Sequence, residues 1–183
     1  MKNELRIIGG IWRSRKLRFP DAPDLRPTSD RVRETLFNWL GQSLEGLNCL
    51  DLFAGSGALG FEAASRGARR VVMVDRDSTV CTTLKAHCDL LEARTVQALQ
   101  MDAQHFLAGT PEPFDVVFLD PPFRQSVLPQ TCGLLESRGW LAYGARIYIE
   151  SPSDGQLDEL PHGWQLHRAK QAGAVDYRLY RRD

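Results

Sequence analysis

The chain has 183 residues, 43% of them apolar and 25% charged, with bases and acids in equal number. That size suits one sizeable core with a small appendage, and the composition excludes a fibrous or disordered chain. No apolar run approaches the roughly 20 residues of a membrane helix, and the opening MKNELRIIGG lacks a signal-peptide core, so a cytoplasmic chain with no membrane contact is expected. The neutral total hides an asymmetry. Residues 1–33 hold nine bases against four acids, and a basic head on a mildly acidic body suggests a polyanionic partner.

In chain order, residues 5–19 (LRIIGGIWRSRKLRF) read as two short strands about a basic turn, a candidate hairpin. The proline-rich stretch PDAPDLRPTSD follows and divides the chain into residues 1–27, a basic hairpin and loop, and a main domain over 28–183. Ser29 or Asp30 can cap a helix whose Val32, Leu36, Phe37 and Leu40 share one stripe, ended by Gly41. From residue 48, apolar runs (CLDLF, VVMVD, TVQAL, FDVVFLD, RIYIE) alternate with stretches that suit helices over 58–66, 78–91, 103–108 and 125–137. Strands alternating with helices imply an α/β fold with parallel pairing and right-handed crossovers. WQLHRAKQ and AVDYRLYRR, around Ala172-Gly173, read instead as an antiparallel hairpin closing the sheet. Cys49, Cys81, Cys88 and Cys132 make no CxxC pair, and reduced thiols without a disulfide or metal are expected.

Two stretches carry chemistry. DLFAGSGALG follows a strand and opens a helix, with Gly55, Gly57 and Gly60 in GxGxxG spacing and Asp75 at the end of the next strand. Bare backbone lets a ligand approach, and a carboxylate there can accept from ribose hydroxyls, so a nucleoside cofactor is expected. Asp51, just before the loop, would repel a pyrophosphate and favour a cation, which selects S-adenosylmethionine over a dinucleotide. Phe53 sits in the same loop, and Asp102 is placed to accept from an adenine amine, although it would serve equally as a helix N-cap. The second stretch is FLDPPF. Asp120 and the Pro121 carbonyl offer acceptors, Pro121-Pro122 stiffens the corner, and Phe123 offers a flat face. Such a set suits an exocyclic amine on a planar base, whose developing positive charge fixed acceptors can stabilise during attack on a methyl group.

DLFAGSGALG, VVMVDRD and FLDPPF together resemble the Rossmann-like class I methyltransferases that modify exocyclic amines. RIIGGIWRSRKL, LRPTSDRVRETLFNWL and VDYRLYR narrow the resemblance to the RsmD family, and it covers nearly the whole chain. The resemblance implies a mostly parallel seven-stranded sheet and methylation of guanine N2 in small-subunit (16S) ribosomal RNA, within an assembled or late-precursor particle. It further implies S-adenosylmethionine as donor and no metal; a monomer without an obligate protein partner is expected. By position it puts the cofactor loop on Asp51 to Gly57, the ribose acid on Asp75 and the amine-binding tetrapeptide on Asp120, Pro121, Pro122 and Phe123. Arg26, Thr28 and Arg31 are then expected to touch RNA or close over the cofactor, with Arg13, Arg15 and Lys16 on the RNA backbone. Three other readings compete: a DNA adenine-N6 methyltransferase, an NAD-dependent oxidoreductase, and a non-catalytic RNA-binding assembly factor. The first would want a separate duplex-reading domain, the second leaves Asp51 and DPPF idle, and the third leaves the intact site residues unexplained.

Overall fold

The computed structural model describes residues 3–19, 28–122, 127–154, 157 and 160–183. At the N-terminus β1 (Glu4–Arg6) and β2 (Lys16–Arg18) pair antiparallel, the expected hairpin. Its inward residues Leu5, Ile7 and Leu17 are buried in the same cluster as Leu36 and Phe37, so the head packs on the body. Helix α1 (Asp30–Leu40) starts where the Ser29 hydroxyl accepts from the Val32 N–H, and stops at Gly41, whose φ of 93° ends the helix in the left-handed region.

In the body β3 (Asn48–Asp51), α2 (Ala58–Ser65), β4 (Arg70–Asp75), α3 (Ser78–Leu90), β5 (Val96–Gln100), α4 (Ala103–Ala108), β6 (Phe114–Leu119), α5 (Leu128–Ser137) and β7 (Leu141–Pro152) alternate as the pattern requires. The chain closes with β8 (Trp164–Ala172) and β9 (Val175–Arg182). The sheet has seven strands in the order β5-β4-β3-β6-β7-β9-β8, parallel from β5 to β7 and antiparallel beyond.

α2 and α3 each end one residue earlier than the sequence reading, and three other boundaries differ as well. β7 begins at Leu141, before RIYIE, because a register shift between Phe114 and Val116 accommodates Tyr143 and Gly144, which break the alternation. The last turn falls on Gly173 and Ala174, one residue later than expected, with Gly173 at φ 59°. α5 begins at Leu128, with a proline in its first turn, while 125 and 126 lie outside the described residues.

Alternate strand residues face opposite sides of the sheet, which sorts the core in two. Cys49, Met73, Phe118 and Tyr148 join α1, α2 and α3 on one face; Leu50, Val72, Val117 and Ile147 join α4 and α5 on the other. The first face matters for function. Continuing its period of two to the carboxyl ends of four neighbouring strands reaches Asp75, Asp51, Asp120 and Glu150.

Candidate active site

The glycine loop is stitched into place by backbone. The Ala54 N–H donates to the Val74 carbonyl at 2.9 Å and the Leu52 N–H to the Phe118 carbonyl at 3.2 Å, tying the loop to both flanking strands. Gly57 holds φ at 79°, and a Cβ there would meet the Phe61 ring at 2.6 Å and Leu84 at 2.8 Å. A Cβ on Gly60 would lie 2.5 Å from the Met73 sulfur, so the third glycine brings α2 against β4.

The carboxylates organise this loop. Asp75 accepts from the Gly55 N–H through Oδ2 and from the Asp77 N–H through Oδ1, both at 2.9 Å, and remains partly exposed. Asp51 is buried and accepts from the Gly60 N–H at 3.0 Å. Burial pushes the Asp51 carboxyl up to about 7, and the charges of Asp75 and Glu150 push in the same direction. Phe53 is partly buried against the second core face, with Met101 nearby in that cluster. Asp102 caps α4, its Oδ1 accepting from the Gln104 and His105 N–H groups at 2.8 and 3.3 Å, the alternative that the sequence left open.

Asp120 ends β6 beside β3, so it shares an edge with Asp51. Pro121 is buried and Pro122 partly so; Phe123 lies outside the described residues. Burial raises the Asp120 carboxyl well above the usual carboxylate range, and Glu150 and Asp51 raise it further. Of the two expectations for Thr28, touching RNA or closing over the cofactor, the first does not fit its burial: it is 9% exposed and its hydroxyl is committed inward. Its Oγ1 lies 3.0 Å from Glu150 Oε1 and 3.4 Å from Asp120 Oδ2, a position for holding carboxylates rather than touching a polyanion. Glu150 is the residue that sequence reasoning missed. The signal was an acid at the end of the apolar run RIYIE, the same strand-end logic that singled out Asp120.

The basic residues divide. Arg31 is exposed in the first turn of α1, three residues beyond Thr28 and so near the carboxylate edge, while Arg26 lies outside the described residues. Arg13, Arg15 and Lys16 are exposed at the hairpin turn. The turn is seated at the C-terminal end of α2, where the Ile11 N–H donates to the Ser65 carbonyl at 2.8 Å, and Arg15 Nη2 lies 3.5 Å from the Leu90 carbonyl ending α3. Both helices run from the carboxylate edge to the opposite edge, so the structure does not bring these three bases to Asp120. An eight-residue helix, about 12 Å, separates them at least. Lys16 pairs with Glu4 at 2.9 Å. A groove of about 1050 Å³ also lies at this end, between the hairpin turn and α1, and none of the four carboxylates lines it.

Among the described residues no three His, Cys, Asp or Glu side chains converge to hold a metal ion, and no helix is long and apolar enough to cross a membrane. The four cysteines are free thiols; Cys49, Cys81 and Cys132 are buried. His87, without a noted role in the sequence, packs edge-on to Phe61 at 6.0 Å, and burial lowers its pKa.

The family described as Conserved hypothetical protein 95 matches residues 5–181. The chain is 50% identical to ribosomal RNA small subunit methyltransferase D of Escherichia coli K12, covering 98% of this chain and 91% of that protein. It is 45% identical to the protein of the same name from Haemophilus influenzae, covering 98% and 94%. Among solved structures, yhhF from Escherichia coli superposes with a TM-score of 0.92 at 48% identity, covering 98% of each chain. SMU.776, solved in complex with SAH, shares the fold at a TM-score of 0.68 and 15% identity.

Proposed function

Because this chain belongs to the RsmD family and is a methyltransferase, we propose that it moves a methyl group from S-adenosylmethionine to guanine N2 in small-subunit (16S) ribosomal RNA, within an assembled or late-precursor particle. The observation that carries this reading is the row of four carboxylates, Asp75, Asp51, Asp120 and Glu150, near the carboxyl ends of four neighbouring strands around a bare glycine loop. Such an edge favours a cation and disfavours a pyrophosphate, which argues against the dinucleotide reading.

The residues fit the methyl donor. Asp75 has lone pairs left for ribose hydroxyls after its two backbone bonds, since each carboxylate oxygen can accept more than once. Gly55 and Gly57 let an amino-acid tail approach the backbone, and Asp51 lends negative charge beside it. When bound, the cofactor would supply an electrophilic methyl group on a sulfonium. Asp120 and the Pro121 carbonyl then accept from the acceptor amine, orient its lone pair, and stabilise the positive charge that grows on its nitrogen. Phe123 is proposed as the stacking face for the base, and Arg26 and Arg31 as phosphate partners at the entrance.

Calorimetry tests the cofactor: S-adenosylmethionine should bind and NAD should not, and the opposite pattern would sink the reading. The remote basic turn is proposed to bind RNA phosphates at some distance from the reacting base. Changing Arg13, Arg15 and Lys16 to glutamine should weaken binding to 16S RNA roughly tenfold or more at moderate salt. The slope of log affinity against log salt should become shallower by about 0.7 to 0.9 for each phosphate no longer neutralised. Unchanged binding in a salt titration would remove the hairpin from the interface.

A further inference from the structure

Glu150 and Tyr148 belong to β7, and Thr28 precedes α1, yet they meet around one carboxylate oxygen. Thr28 Oγ1 is 3.0 Å and the Tyr148 hydroxyl 2.8 Å from Glu150 Oε1, and all three side chains are buried. Two hydroxyls converging on one oxygen is an arrangement that holds a carboxylate charged, because each donates its single proton to it. On the other side of Thr28 stands Asp120, with Oδ2 at 3.4 Å. One hydroxyl proton serves one acceptor at a time, and the shorter contact goes to Glu150. Among the described residues Glu150 is therefore supplied with two hydroxyl donors, and the partly buried Asp120 with the longer Thr28 contact alone.

We propose that Glu150, fixed by Thr28 and Tyr148, is a positioning residue for methyl transfer: its buried charge makes Asp120 the group that takes the proton from the newly methylated amine. The proposal rests on the methyl-transfer reading above. As the new nitrogen–carbon bond forms, the positive charge passes to the acceptor nitrogen. One N–H bond of that nitrogen then breaks, its electron pair returns to nitrogen, and the proton forms an O–H bond on Asp120. A neutral methylated amine leaves, and the partly exposed Asp120 gives its proton to solvent water. A carboxylate next to a second fixed negative charge suits this task better than an isolated one. The raised proton affinity of Asp120 agrees with that division, with burial the first cause and the Glu150 charge the second; burial raises Glu150 as well, and the hydrogen bonds from Tyr148 and Thr28 oppose that rise. Among the described residues the other groups facing the pair are Asp51 from β3, which pushes Asp120 in the same direction, and Tyr177 from β9, opposite Glu150.

The test is the pH profile of kcat, measured with saturating donor and small subunits, for the unaltered protein and for Glu150→Gln, Thr28→Val and Thr28→Ser. In Glu150→Gln the acid limb should move down by about one pH unit or more and the plateau should fall about tenfold, because Asp120 becomes a weaker base. Thr28→Val should lower the plateau similarly, and Thr28→Ser should restore it, since serine keeps the hydroxyl. A merely structural role would lower kcat in Glu150→Gln without moving the limb, and that result overturns the proposal. So does a Thr28→Val protein that matches the unaltered one, which settles the matter even if Glu150→Gln fails to fold. An unaltered protein that transfers no methyl group would overturn the methyl-transfer reading and this proposal with it, whereas an active one with an unmoved limb overturns this proposal alone.

Discussion

Asp120→Ala is expected to lower kcat for methyl transfer by about a hundred- to a thousandfold while leaving S-adenosylmethionine affinity within about tenfold. The split follows from position. Asp120 ends β6, whereas the backbone bonds that shape the glycine loop go to Asp51 and Asp75 on β3 and β4. Removing Asp120 takes away the acceptor that meets the amine in the transition state and leaves the loop intact. Single-turnover kinetics and calorimetry on the same preparation would show it; a comparable loss of cofactor binding would make Asp120 a cofactor residue instead.

The same side chain has a consequence for stability. Its carboxyl is raised in the folded protein, so between the ordinary carboxylate range and that raised value the native state holds the proton and the unfolded state does not. Native stability therefore falls as pH rises through that window. Asp120→Asn removes this contribution, so its Tm should gain on the unaltered protein between pH 5 and pH 8. An equal Tm difference at both values would contradict a raised carboxyl at this position.

Arg33→Met should have the largest effect on folding. Arg33 is 1% exposed and Glu62 0%, and the pair lies between α1 and α2 with Nη1 to Oε2 at 3.1 Å. Glu62 also accepts from Arg66 Nε at 2.9 Å and from the Ile8 N–H at 3.0 Å, so one carboxylate gathers the hairpin and both helices. Arg33 pairs with Asp30 as well, and its Nε donates to the Thr28 carbonyl at 3.1 Å. Burial lowers the Arg33 pKa while Glu62 and Asp30 oppose that shift. Removing one member strands the other's charge in the core, a loss of about 3 to 5 kcal/mol. For a chain of this length that corresponds to a fall in Tm of roughly 10 °C, readable by calorimetry. Converting Arg33 and Glu62 together to methionine should cost less than the sum of the single changes, because no buried charge then lacks its partner. Activity should fall with Arg33→Met too, since the guanidinium fixes the Thr28 backbone beside the acids.

Much of this architecture was legible because it is local. VVMVD and FDVVFLD announce buried strands through length and composition, Ser29 and Gly41 mark both ends of α1, and the glycine loop sits between a strand and a helix. What the sequence hid depends on long-range packing. Thr28 is 92 residues from Asp120 and 122 from Glu150, and nothing in its neighbourhood indicates an inward hydroxyl. Arg33 resembles any charged residue of an amphipathic helix; only the depth of α2, buried along its whole length, makes it and Glu62 a pair. The placement of the basic turn was equally out of reach, because it depends on which end of α2 receives Ile11. A net charge in the first 33 residues does not say which edge of the sheet they face.

The most direct test is transfer from labelled S-adenosylmethionine to small subunits that lack the modification, and to naked 16S RNA, followed by nucleoside analysis. Label is expected in N2-methylguanosine from the particles, at an initial rate about a hundredfold or more lower with Asp120→Ala. Label in methyladenosine or in protein, or an initial rate unchanged in Asp120→Ala, would contradict methyl transfer to guanine N2 at Asp120.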